Sequence, residues 1–97
     1  MANKFKKNEK RMVWREIEDE TIVMDMESGY IHSLDDVGTV IWELFEDYKK
    51  VEEVLEGLKE IYPGVKEKIL KKDLNEFIKE LQEKELLIPA EKESEMV

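Results

Sequence analysis

Residues 25–38 read DMESGYIHSLDDVG, and within them the period of the chain changes. Before the glycine, TIVMDM (21–26) is apolar and β-branched enough for a strand. Gly29 stands where a short hairpin loop needs a positive φ. YIHSL (30–34) then alternates, with Tyr30, His32 and Leu34 on one face and Ile31 and Ser33 on the other. From Asp35 onward the spacing is helical: Val37, Val40, Ile41, Leu44 and Phe45 recur every three or four residues. Ser33, Asp35 or Asp36 can cap that helix, and acidic residues in its first turn suit the helix dipole. Gly38 inside it would cost up to about 1 kcal/mol, which points to close packing against a neighbour.

Upstream, MVWREI (12–17) reads as another strand, joined to the next by a short charged link. Downstream, KKVEEVLEGLKEIYPG (49–64) places Val51, Val54, Leu55, Leu58, Ile61 and Tyr62 on one side of a second helix, stopped by Pro63-Gly64. VKEKILKKDLNEFIKELQEKELL (65–87) holds Ile69, Leu70, Leu74, Phe77, Ile78 and Leu81 in the stripe of a third. The expected fold class is α+β, a three-stranded antiparallel sheet followed by three helices (β-β-β-α-α-α), with the helices covering one face of the sheet. Residues 1–11 lack apolar periodicity and are expected to be a flexible basic arm, 12–88 the domain, and 89–97 a flexible acidic tail. Leu86, Leu87 and Ile88 are expected to tuck under the core, with Pro89 ending the order.

The chain has 97 residues, enough for one modest core. It is 42% charged and 41% hydrophobic, with a net charge of −9. That acidity weighs against nucleic acid, whose ligands normally present a basic surface. There is no cysteine, so disulfides and thiolate chemistry are excluded. The N-terminal lysines precede no apolar run, and no stretch approaches the roughly 18 residues of a membrane span. The expected location is the cytoplasm, without a membrane partner.

Chemistry is equally sparse. His32 is the one histidine and has no companion for a metal site. The carboxylates lie singly or on solvated helix faces such as EEVLE, and no acid–base pair stands out. The four glycines form no phosphate-binding loop. We therefore expect no enzyme activity, no catalytic residue, no metal and no cofactor. The strand at 30–34 carries no lysine, no proline and no net charge, so it lacks the usual protections of a sheet edge. Such an edge suits strand addition by an extended peptide; alternatively the strand is central, or a helix covers it.

The ordered set VMDMESGYIHSLDDVG, VGTVIWELF, KVEEVLEGLKEIYPG and KKDLNEFIKELQEKELL, over residues 12–88, resembles the PqqD family. These are small peptide chaperones of pyrroloquinoline quinone biosynthesis, within a wider class of recognition elements for ribosomally made precursor peptides. Asp35-Asp36 stands where the family commonly has Asn-Pro. The resemblance implies a winged-helix-like fold and a non-catalytic protein. It would bind the leader segment of a precursor as an added strand and present it to a modifying enzyme, a radical S-adenosylmethionine protein in the quinone pathway. The implied groove lies between the strand, at Gly29, Tyr30, Ile31, His32 and Ser33, and the last helix. On that helix, Leu74 and Phe77 lie at the centre of the stripe. One flank is basic and polar, with Lys68, Lys71, Asn75 and Gln82 bordered by Ile78; the other holds Asp73, Glu76 and Glu80, bordered by Ile69. Spacing does not say which flank faces the groove. An acidic leader would favour the basic one. Two other uses of such a domain are a winged-helix DNA-binding regulator and an oligomerisation or adaptor domain, the latter by a strand-mediated dimer through the same edge.

Overall fold

The computed structural model describes residues 3–90. The acidic tail expected from residue 91 onward lies outside the described residues. The chain runs β1 (Phe5–Lys7), β2 (Met12–Ile17), β3 (Glu20–Asp25), β4 (Ile31–Leu34), α1 (Asp36–Asp47), α2 (Val51–Ile61), α3 (Glu67–Glu83) and β5 (Leu87–Pro89). The expected antiparallel meander is present, in the order β2-β3-β4, and the three expected helices follow it.

Strand alternation sets the two faces of the sheet. Met12, Thr21, Val23 and Asp25 are buried on the inner face. Across the register, Trp14 pairs with Val23 and Val23 with His32. Val13, Met24 and Ile31 form the matching outer row and are exposed. Helix α1 covers the inner face through Ile41, Trp42 and Phe45, with the Trp14 and Trp42 rings edge-to-face at 5.4 Å. A buried hydroxyl pair, Thr21 Oγ1 to Thr39 Oγ1 at 2.9 Å, ties β3 to α1. Asp35 caps α1 by accepting from the Gly38 amide at 2.8 Å.

Gly38 is buried as its packing required. A Cβ there would come within 3.1 Å of the Asp35 carboxylate, 3.3 Å of Leu34 and 3.7 Å of the Phe77 ring. Helix α3 closes the core with Leu70, Leu74, Phe77, Ile78 and Leu81, and its Phe77 ring stacks on Phe45 with centroids 6.4 Å apart. Helix α2 adds Val54 and Leu58. Among the described residues no helix is long and apolar enough to cross a membrane.

The N-terminal segment corrects the expected flexible arm. Residues 5–7 form β1, which pairs antiparallel with β5, Phe5 opposite Pro89 and Lys7 opposite Leu87. Phe5 is buried in the core, and its amide donates to the Lys49 carbonyl at 2.8 Å. The Lys7 side chain is buried with it. Its ammonium lies 4.5 Å from the centroid of the Trp42 ring and 4.9 Å from that of Trp14, and it pairs with Glu46 at 2.5 Å. Burial lowers the Lys7 pKa, with Glu46 opposing the shift. Pro89 and Ala90 likewise belong to the fold: the Ala90 amide donates to the Lys4 carbonyl at 3.0 Å, and Ala90 is buried. A proline is tolerated in β5 because that strand is an edge.

Candidate functional site

The site grows from the hairpin between β3 and β4. Asp25 organises it. Its carboxylate accepts from the Glu27 amide at 3.0 Å and the Ser28 amide at 3.4 Å, and the Arg11 guanidinium forks onto it. The Arg11 hydrogen bonds are the main reason that the Asp25 carboxyl is held well below the usual carboxylate range. Gly29 closes the loop at φ 79, and its amide donates to the Asp25 carbonyl at 2.8 Å.

The Asp25 amide donates to the Tyr30 carbonyl at 2.9 Å, so these two form a hydrogen-bonded pair. Antiparallel ladders alternate hydrogen-bonded and non-bonded pairs. His32 opposite Val23 and Leu34 opposite Thr21 are therefore the next bonded pairs. Ile31 and Ser33 fall between them, opposite Met24 and Ile22. Their N–H and C=O groups turn away from β3, toward the side of β4 where the sheet order shows no further strand. The expected open edge is thus present among the described residues. Its exposed side chains are Tyr30, Ile31 and Ser33, while His32 is half-buried on the inner face, its ring tilted against that of Tyr30 at 6.5 Å.

A cleft of about 270 Å³ begins where β4 ends. Asp35, Val37, Gly38 and Ile41 line it from the start of α1, and Asp73, Glu76, Phe77 and Glu80 line it from α3. The acidic flank of α3 is thus the one that faces the β4–α1 junction. The polar flank faces elsewhere: Asn75, Ile78, Lys79 and Gln82 line a separate cleft of about 500 Å³ with Asn3, Phe5, Val51 and Glu52. Of the residues expected on the helix wall, Asp73 and Phe77 therefore stand at the end of the open strand. Asn75 and Ile78 do not, and Leu74 is core. Lys68 and Lys71 are exposed on the same flank as Asn75. Asp35, Val37, Gly38 and Ile41 were not singled out as site residues. Their signal was adjacency to Leu34 in the chain.

No curated protein matches the chain. Among solved structures, TbiB1 in complex with the TbiA(beta) leader peptide is similar, at 33% identity and a TM-score of 0.77 over 84% of this chain and 93% of that one. Lasso peptide synthetase B1 complexed with the leader peptide shares the fold, at 19% identity and a TM-score of 0.76 over 89% of this chain and 99% of that one. The family model described as coenzyme PQQ synthesis protein D matches residues 20–87, from the start of β3 to the first residue of β5. The chain belongs to the PqqD family.

Proposed function

We propose that this protein is a non-catalytic recognition module, acting in the cytoplasm, that binds the leader segment of a ribosomally made precursor peptide and presents it to a modifying enzyme. The leader adds to the sheet as a strand beside β4. The observation that carries the reading is the pair of outward-facing backbone positions, Ile31 and Ser33, on an edge that no other strand occupies among the described residues. An added strand would satisfy those groups with main-chain hydrogen bonds, while side chains beside the edge select the sequence. The likeness to TbiB1, solved with a leader peptide, supports it. Within the PqqD family the modifying enzyme would be a radical S-adenosylmethionine protein or another peptide-modifying enzyme.

An NMR titration with the leader half of a precursor peptide encoded beside the gene tests the reading. Amide resonances at residues 29–34 and on the Asp73–Phe77–Glu80 face of α3 are expected to shift. Shifts confined to β1 and β5 would overturn it. Self-pairing through the same edge gives shifts that depend on protein concentration without peptide, which separates a dimer from a peptide receptor.

A further inference from the structure

Among the described residues the helices cover one side of the β2-β3-β4 meander and leave the other bare. On that outer side Val13, Met24 and Ile31 stand in a row across the three strands, 51%, 42% and 62% exposed. Arg15, Ile22 and Ser33 form the next row, and Ile17 and Glu20 the last. A contiguous apolar face of this kind marks an interaction site on a small protein. Three strands about 4.8 Å apart and up to six residues long, at about 3.3 Å each, present roughly 300 Å². A stable dimer needs about 800 Å² from each partner, so a second copy pressed onto this face alone falls well short. Charge opposes a second copy as well. The β2–β3 turn at one end of the face exposes Glu18, Asp19 and Glu20 against the single cation Arg15, and none of the four has an ion-pair partner among the described residues. The chain as a whole carries −9. Two copies would bring like charge together, whereas a partner whose apolar patch is bordered by lysine or arginine is complementary.

We propose that this face docks the enzyme that modifies the peptide, through such a patch, and that the bound leader widens the docking surface. This rests on the strand-addition reading above and assigns the enzyme a surface separate from the peptide's edge. A strand added beside β4 puts alternate side chains on the outer side, in line with Val13, Met24 and Ile31. It widens the three-stranded face by about a third. The enzyme then touches leader and protein together, so each ligand strengthens the binding of the other. The edge of β4 stays free for the peptide, because the enzyme meets the face and not the edge.

Photo-crosslinking identifies the occupant. p-Benzoylphenylalanine replaces Met24, on the face, or Lys68, on the exposed flank of α3. Each full-length protein is irradiated in an extract of the source organism with the leader half of the precursor added, and adducts are identified by mass spectrometry. The Met24 position is expected to capture a peptide-modifying enzyme that the Lys68 position does not. That enzyme, purified, is expected to bind Val13→Thr/Met24→Thr and, separately, Asp19→Lys/Glu20→Lys about tenfold more weakly than the intact protein, the second loss shrinking as salt is raised. Threonine keeps the strand preference of the first pair, so the sheet is preserved. Leader affinity, followed by the titration above, is expected to stay within about twofold in both variants, since neither touches the β4 edge. The enzyme is expected to bind more tightly with leader than without. Equal capture at both positions, no adduct at Met24, or an adduct there with a second copy of this chain or with any protein other than such an enzyme overturns this inference and leaves leader binding standing. So does undiminished enzyme binding by either variant, or enzyme binding indifferent to the leader. A leader that shifts no resonance at residues 29–34 of the intact protein overturns the strand-addition reading, and this inference with it.

Discussion

Arg11 forks onto Asp25, its Nε 3.0 Å from Oδ1 and a terminal nitrogen 3.0 Å from Oδ2, while the other terminal nitrogen lies 2.8 Å from Glu85. The Met26 amide also donates to the Arg11 carbonyl at 2.8 Å. One arginine thus binds the start of β2, the β3–β4 loop and the turn after α3. Bidentate geometry makes this the strongest kind of side-chain pair, and Asp25 is buried. The hairpin that presents β4 is held from its inner end.

Acid should release that hold. Arg11 and the loop amides lower the folded-state pKa of Asp25 below its ordinary 3.8. In the window between the two values the unfolded chain binds more protons, so stability rises with pH there. The contribution is fully present above about pH 5 and is lost as pH falls through 3.8 toward the folded value. Urea denaturation at stepped pH should show this acid limb. Arg11→Ala removes the largest cause of the shift, so it should be less stable at neutral pH and show a shallower limb. An unchanged limb in Arg11→Ala would mean that other carboxylates account for it.

Strand β1 should matter as much as an internal helix. Phe5 is 4% exposed and pairs opposite Pro89. Phe5→Ala is expected to cost about 3–5 kcal/mol, the range for truncating a buried aromatic residue. That is a large part of the 5–15 kcal/mol typical of a domain. Equilibrium denaturation measures it. A loss below about 1 kcal/mol would return residues 3–8 to the status of a solvated arm.

The difference between what was legible and what was not follows sequence distance. β2, β3 and β4 and the three helices each carry their own period, and Gly29 and Pro63-Gly64 punctuate them locally. β1 and β5 are three residues each, too short for a period, and their pairing joins Phe5 to a proline 84 positions away. Asp25 and Lys7 were hidden for a second reason. Apolar patterning assigns charged residues to the surface, yet both are buried, each ion-paired to a residue distant in the chain: Arg11 for Asp25, and Glu46 for Lys7, whose ammonium lies over the two tryptophan rings. For α3, the turn of about 100° per residue puts Asp73, Glu76 and Glu80 on one flank and Asn75 and Gln82 on the other. It does not say which flank meets the β4–α1 junction, because packing against α1 and α2 decides that.

Gly29 offers a test of backbone geometry alone. Its φ is 79, and a Cβ built there would meet nothing within 4 Å. Gly29→Ala should therefore lower stability by about 1 kcal/mol through left-handed strain, with no clash to relieve. Gly29→Asn should lose less, since asparagine tolerates that region. Thermal or urea unfolding ranks the three proteins. Equal losses for alanine and asparagine would point to a role for the missing side chain rather than for φ.

The alternation along β4 makes a sharper claim than openness of the edge. If the Ile31 amide points outward, Ile31→Pro removes no bond to β3 and should leave the fold nearly as stable as before, since proline is tolerated on edge strands where the N–H faces away. The His32 amide points inward to Val23. His32→Pro should then be the more damaging change, by about 1 kcal/mol or more for the lost ladder bond. Binding should invert the order. In the folded protein Ile31→Pro should weaken leader binding about tenfold, because the added strand loses a main-chain hydrogen bond and meets the pyrrolidine ring. Paired denaturation and peptide-titration curves on both variants decide it. If His32→Pro is the more stable of the two, the pairing phase is shifted by one residue, and the outward positions are Tyr30, His32 and Leu34 instead.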